Sequence, residues 1–372
     1  MPILIVWWFL ILYWIAAVFS VSTYESFSLT LWLWDPSNYF YFIRHLRNIL
    51  IAIVAALAIY RVPVKFFQKD KNIWIITIAV FILQAMVFIP QIWAKYWWAR
   101  WWLDIPWLPS IQPCEFFKLW YVFFMAGRLI RKRKTFENDK QMLLSYIVIN
   151  IMFLIIFCFI PDFGSALVMW ITGIVMALYA GMDWKKITIV WICGAGCALL
   201  FGSLASLVSD RFSYLQERML YFISWNSDAT EQWVWWQNEQ ALAAIWWWGF
   251  FWNGYGKGLQ KFGYIPEAQS DFIFAAFSEE VWFFWDIILL WLYFYLMFYV
   301  ITRLKNVNDE YGKVIAMGLL SLIILQAFIN MWVNLKILPN TGLTLPFISH
   351  WWTALLANCI SLMLIYKIIE NK

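Results

Sequence analysis

Charge is scarce in this chain. Asp, Glu, Lys and Arg make up 13% of its 372 residues, against roughly 25% in a soluble domain, and this excludes an ordinary water-soluble globule. Histidine is scarcer still. His45 and His350 are the whole supply, so a histidine-built metal centre is not expected, although carboxylates can still hold a hard cation. The five cysteines (Cys114, Cys158, Cys193, Cys197 and Cys359) all fall in apolar segments without a C-x-x-C spacing, which argues against a disulfide framework. The first apolar run lacks a basic segment ahead of it and is followed by further runs, so it reads as an anchor and not a cleaved signal. Glycine is also short. There are 15 glycines against 30 tryptophans, whereas membrane helices are normally the glycine-richer class.

What is present is apolar sequence in long runs. Segments able to cross a bilayer fall near 3–22, 39–60, 73–93, 112–130, 142–160, 163–181, 187–208, 272–302, 314–337 and 351–368. The expected architecture is an all-α polytopic membrane protein of about ten transmembrane helices, with residues 1–372 forming a single membrane domain. With the N-terminus inside, the inner loops carry 17 Lys and Arg and the outer loops 6. Both termini are therefore expected in the cytoplasm, with a large outer loop at 209–270 between helices 7 and 8. The net charge of +5 is accounted for by this topology, and no nucleic-acid partner is expected.

The longest stretch that does not read as a membrane helix is 236–280, WQNEQALAAIWWWGFFWNGYGKGLQKFGYIPEAQSDFIFAAFSEE. Its first half is rich in turns, with Gly249, Gly254, Gly256, Gly258 and Gly263. Its second half sets Pro266, Glu267 and Asp271 just ahead of an apolar run that begins at Phe272. Asp271 has two readings, an N-cap of the helix it precedes and an acid at the membrane surface that meets a lipid-borne substrate. Glu279 and Glu280 follow two turns later, and at least one of them is expected to face the bundle, since lipid exposure is costly.

Other polar residues sit where polarity is costly. Glu115 and Lys118 lie three apart in QPCEFFKLW, on one helical face inside an apolar segment, so they are either a structural ion pair or the lining of a polar cavity. Pro113 suits the start of that helix. Asp162 in IPDFGSALVMW either caps the helix that follows it or lines the same outward cavity. Arg100 sits among aromatics in an outer loop, AKYWWARWWLDIPWLPSI. Aromatics there form an interfacial belt, and an outward Arg can also bind a lipid pyrophosphate. Arg44, His45 and Arg47 open the second span and are expected to reach toward headgroups. Near the end, the run with Pro339, Thr341, Gly342 and Pro346 reads as irregular backbone covered by protein.

Four motifs occur in order along residues 112–358: QPCEFFKL, PDFGSALV, the G-x-G-x-G run with PEAQSDFIFAAFSEE, and NLKILPNTGLTLPFISH. Together they resemble the SEDS (shape, elongation, division and sporulation) proteins, the FtsW/RodA family, with wording nearer the FtsW branch. The resemblance implies a ten-helix glycosyltransferase of the bacterial cytoplasmic (inner) membrane. Such an enzyme polymerises lipid II into peptidoglycan strands in cell division or cell-wall growth and releases undecaprenyl pyrophosphate. It implies a class B penicillin-binding protein and other division proteins as partners. The family's essential acid falls on Asp271, with Glu267 in the same motif, and Glu115, Lys118, Arg100 and Asp162 match other polar positions of its cavity. Departures are Cys114 for Ser, Ile160 for Gln, Gln269-Ser270 for His-Thr and His350 for Tyr, and none removes a carboxylate.

The implied reaction is an inverting sugar transfer. The 4-hydroxyl of the acceptor N-acetylglucosamine attacks C1 of the donor muramyl sugar, with Asp271 as base, a role worth roughly 10²–10⁴-fold. Arg100, Lys118 or a divalent cation such as Mg or Mn would neutralise the leaving pyrophosphate. A lipid II flippase, or a division scaffold without catalysis, would share the helices but would need no base. Nine tryptophans (Trp246, Trp247, Trp248, Trp252, Trp282, Trp285, Trp332, Trp351 and Trp352) stand where the family has glycine. This is the pattern expected if the source reads UGA as glycine and the chain was translated with UGA as tryptophan. Tryptophan at turns that need positive φ would be strained there.

Overall fold

Segments that are apolar on every face cannot fold as surface helices of a soluble protein, because no face is left for water. Six such helices are long and apolar enough to cross a membrane among the described residues. The computed structural model describes residues 2–31, 37–89, 102–104, 109–131, 143–144, 146–151, 153, 162–192, 194, 196, 222, 232–248, 254–265, 268–281 and 283–370. Arg100 and Glu267 lie outside them. No strand occurs within them beyond one isolated bridge, Leu103 with Ile111.

The principal helices in chain order are α1 (Pro2–Val21), α2 (Thr23–Leu31), α3 (Phe40–Arg61), α4 (Val64–Gln68), α5 (Asp70–Ala85) and α6 (Pro113–Ala126). They continue with α7 (Phe163–Tyr179), α8 (Gln232–Ala243), α9 (Ile273–Ser278), α10 (Phe283–Leu304), α11 (Glu310–Asn334) and α12 (Trp352–Glu370). The expected span at 272–302 is broken. Residues 279–281 leave the helix, because Glu279 and Glu280 turn to hold a loop. The segment after the first span carries a helix, α2, and the segment 209–270 carries α8. Chain breaks follow local chemistry. Pro63 precedes α4, Pro113 takes the first position of α6, and Gly181 at φ 87° follows the end of α7.

The chain forms two compact units. One comprises Met1–Ala55, Ser209–Tyr299 and Gln326–Cys359, and the other Ala56–Val208, Val300–Leu325 and Ile360–Lys372. In the second unit the Trp120 indole donates to Thr77 Oγ1 at 2.7 Å, Phe67 stacks on Phe123 at 4.5 Å, and the Tyr311 hydroxyl donates to the Phe67 carbonyl at 2.7 Å. Gly318 lets helices close in. A Cβ there would meet Met176 Sδ at 2.6 Å and Val122 Cγ1 at 2.7 Å, the close approach that small residues permit in membrane bundles.

In the first unit the segment after α11 is non-helical from 336 to 351, and Leu343, Thr344, Leu345, Phe347, Ile348 and Ser349 in it are buried. Irregular backbone covered by protein is what the prolines there implied. Its carbonyls and hydroxyls are met from α11, where Gln326 Nε2 donates to both the Thr344 carbonyl and Thr344 Oγ1. His45 does not reach for headgroups. It is 2% exposed and packs edge-on against Trp14 and against His350, so the only two histidines of the chain, 305 residues apart, meet in this unit. Strain does not appear at the described tryptophans, while Trp252 and Trp282 lie outside the described residues. Trp246, Trp285 and Trp332 are helical and exposed, and the only described non-glycine residues with positive φ are Lys336 and Phe347.

Candidate functional site

Asp271 lies at the centre of a short run whose backbone is fastened from three directions. The Gln269 carbonyl accepts the His350 N–H at 3.1 Å, and the Ser270 carbonyl accepts from Ser349 Oγ at 2.6 Å. The Asp271 carbonyl accepts from two side chains of α11, Asn330 Nδ2 at 2.8 Å and Asn334 Nδ2 at 3.0 Å. Three successive carbonyls are thus held by groups far away in sequence. Asn334 also takes the Ala275 N–H on its Oδ1 at 3.2 Å, satisfying one of the donors that a helix start leaves over. Asn330 and Asn334 stand one turn apart on α11 and present both amides to the same strip.

The N-cap position of α9 is Phe272, which makes no side-chain capping bond, and Asp271 stands one residue ahead of it. Its residue is partly exposed, while Ala268, Gln269, Ser270 and Phe272 around it are buried. A carboxylate on a rigid, externally held backbone at a partly open position is suited to act on a bound group, because positioning is what a general base requires. The segment that fastens it carries the two positive-φ side-chain residues, Lys336 at 58° and Phe347 at 64°. Such conformations persist where surrounding structure over-determines them, and they gather at functional sites.

Downstream of Asp271, both expected inward glutamates are buried, each 0% exposed. Glu279 accepts the N–H of Leu259 at 2.8 Å and of Gln260 at 2.9 Å, one on each oxygen. Glu280 pairs with Lys261 Nζ at 2.7 Å, accepts the Gly256 N–H at 3.2 Å and takes a short bond from Ser20 Oγ of α1. The glycine-rich loop wraps around these two carboxylates. Gly258 is obligatory there, since a Cβ would stand 2.8 Å from Glu280 Cγ and 3.1 Å from Glu279 Oε2.

In the other unit, Glu115 and Lys118 form the expected pair, Nζ to Oε1 at 2.8 Å, both buried. Asp162 takes the first of its two readings. Its Oδ1 accepts the Ser165 N–H at 3.0 Å as the cap of α7. No three His, Cys, Asp or Glu side chains gather around a common point among the described residues. Sequence reasoning missed Asn330, Asn334, Ser349 and Lys261. A usable signal was present in the asparagines, since two amides at i and i+4 inside an apolar helix are costly unless they have partners.

A family profile described as a cell cycle protein, covering the FtsW, RodA and SpoVE proteins, matches residues 2–372. The chain is similar to the probable peptidoglycan glycosyltransferase FtsW of Coxiella burnetii, 30% identical over 336 residues that span 88% of this chain and 86% of the relative. It is 31% identical over 322 residues to the stage V sporulation protein E of Bacillus subtilis, spanning 83% and 82%. Among solved structures it resembles a chain from a peptidoglycan synthase complex that coordinates polymerization and crosslinking, with a TM-score of 0.72, 20% identity, and coverage of 98% and 97%. It also resembles the rod shape determining protein RodA of Thermus thermophilus, with a TM-score of 0.63, 18% identity, and coverage of 100% and 96%. At these identities the structures speak to the fold, which is that of a multi-pass helical membrane protein.

Proposed function

The chain belongs to the FtsW, RodA and SpoVE family, and from that premise we propose that it is a peptidoglycan glycosyltransferase that polymerises lipid II in the bacterial inner membrane. Residues 1–372 act as one membrane domain. The observation that carries this reading is the fastening of Asp271. The carbonyls of Gln269, Ser270 and Asp271 itself are held by His350, Ser349, Asn330 and Asn334, and the residue is partly exposed.

The chemistry follows from the residue types. A sugar hydroxyl is a poor nucleophile at neutral pH, and a positioned carboxylate that takes its proton raises the rate roughly 10²–10⁴-fold. Asp271 takes the proton of the acceptor 4-hydroxyl, the oxygen bonds to the donor C1, and the C1–O bond to undecaprenyl pyrophosphate breaks with inversion. We assign Lys118 and Arg100 to the phosphate charge, and Glu115 and Glu267 to substrate binding, on chemistry alone. Asp162 already holds its own helix. A class B penicillin-binding protein and other division proteins are the partners this activity calls for.

The test is glycan polymerisation by the purified full-length protein with its partner synthase, using lipid II as the sole substrate. Asp271→Asn keeps the shape of the residue and removes the base. Folding and partner binding are expected to persist while polymerisation falls at least roughly a hundredfold. A flippase or a scaffold would show no polymerisation in the unsubstituted protein. A catalyst that does not use Asp271 would leave the variant near normal.

A further inference from the structure

We infer that the glycine-rich loop 254–265 is not a water-bathed outer loop but lies within the membrane leaflet at the C-terminal end of α1, presenting Tyr255, Leu259, Phe262 and Tyr264 to lipid hydrocarbon chains. That leaflet is the outer one in the orientation read from the basic residues.

Depth is fixed by α1. The Tyr255 hydroxyl donates to the Ala16 carbonyl at 2.8 Å, and Ala16 lies five residues before the end of α1 at Val21, about 7.5 Å down the helix axis. Lys261 and Glu280 meet α1 at Ser20, where the apolar run gives way to Ser20, Ser22 and Thr23. The loop therefore spans from the edge of the apolar run to well inside it. It sits on the lipid side of α1. Ile5, Phe9 and Leu12 are more than half exposed at helical spacing, and Ala16 continues that stripe to Tyr255. Tyr255, Leu259, Phe262 and Tyr264 are 47%, 50%, 47% and 51% exposed. Phe262 meets Tyr24 of α2 edge-on at 5.6 Å, so the apolar surface runs unbroken from α1 across the loop to α2.

The interior of the loop fits the same environment. Backbone groups in hydrocarbon must be satisfied from within the protein, and six of the twelve N–H groups of 254–265 have named protein partners. Gly256, Leu259 and Gln260 give their N–H groups to the two buried glutamates. Lys257, Phe262 and Ile265 give theirs to loop carbonyls, and Lys261 Nζ donates to the Gly256 carbonyl at 2.9 Å. A loop in water has its N–H groups met by solvent and gains little from two carboxylates withdrawn from water at a cost of several kcal/mol each. Lys257, exposed at the tip, has a stem long enough to return its charge to the headgroups.

The test places a nitroxide at Leu259→Cys and at Phe262→Cys, in a background with the five native cysteines replaced. The full-length protein is reconstituted in vesicles of phosphatidylglycerol and phosphatidylcholine. Collision rates with oxygen and with a neutral nickel chelate report depth, with Leu12→Cys as the lipid reference and Asn38→Cys as the interfacial one. The oxygen-to-nickel ratio at 259 and 262 is expected to match that at Leu12 and to exceed that at Asn38 at least about tenfold, since hydrocarbon excludes a polar solute. A ratio equal to that at Asn38 overturns the inference, as does protection from both reagents, which would mean protein covers the loop. Tyr264→Cys, at another exposed position of the loop, supplies the same reading if Phe262→Cys does not fold.

Discussion

Asp162 and Asp271 are the same residue type in similar sequence settings, each just ahead of an apolar helix, and their surroundings hold them in different ways. The carboxylate of Asp162 is occupied by its own helix, accepting the Ser165 N–H at 3.0 Å. At Asp271 the N-cap position of the helix that follows is Phe272, without a side-chain capping bond, and the Ala275 N–H at the start of that helix is taken by Asn334 from α11. A distant amide thus serves the start of α9 and holds the Asp271 carbonyl as well. Around Asp162 local chain geometry does the holding. Around Asp271 residues 59 to 79 positions away do it.

The comparison can be broken at the supports. The largest effect is expected at Lys261→Met, which leaves Glu280 buried without its cation and should cost roughly 3–5 kcal/mol of stability. Lys261→Met with Glu280→Met should recover more than half of that loss in thermal denaturation. A loss under about 1 kcal/mol for the single variant would place the pair in water.

The next effect is one of pH. Burial pushes the His350 imidazole down to about 4, below the value of about 6.5 it has in an unfolded chain. Above pH 6.5 both states are neutral and stability is flat. As pH falls from 6.5 toward 4, the unfolded state takes the proton first, so roughly 2 kcal/mol is lost over that window. His350→Tyr should flatten the slope, and an unchanged slope in urea titrations would exclude this imidazole as its source.

Asn334→Ala removes a donor from the Asp271 carbonyl and an acceptor from the Ala275 N–H, at a cost of about 1–3 kcal/mol. Because the backbone under the base shifts while substrate contacts remain, kcat should fall roughly tenfold with KM little changed. A rise in KM at constant kcat would make Asn334 a binding residue instead.

Much of the fold was legible because hydropathy over long windows needs no tertiary knowledge. α1, α3, α5, α11 and α12 fall where their apolar runs do. The break between α9 and α10 was not, since FIFAAFSEEVWFFWDII reads as one apolar run. What breaks it is the demand of Leu259, Gln260 and Gly256 for acceptors, which only the folded loop makes visible. At the site, the buried pairing of Glu115 with Lys118 followed from their spacing, whereas the fastening of Asp271 depends on contacts that no local window contains. His45 was misread for the same reason. Its partner is His350, and nothing near it in sequence announces that contact.

The tryptophans remain the least ordinary feature of the chain. They are accommodated in helices at 246, 285 and 332, so strain does not expose a misreading. The codons do. UGA is expected at these positions, with UGG retained at Trp236, whose indole donates to the Tyr264 carbonyl at 2.9 Å. UGG throughout would make the tryptophans native.

The central claim is that Asp271 is held in place so that its carboxylate can act as a base, while Asp162 is a cap. The most direct measurement compares initial polymerisation rates of Asp271→Asn and Asp162→Asn side by side, each with the partner synthase and lipid II and each matched for folded protein. Asparagine caps a helix nearly as well as aspartate, so Asp162→Asn should polymerise within about twofold of the unsubstituted enzyme. Asp271→Asn should be slower by at least roughly a hundredfold. Equal rates for the two variants would contradict the claim and leave Asp271 as scaffolding.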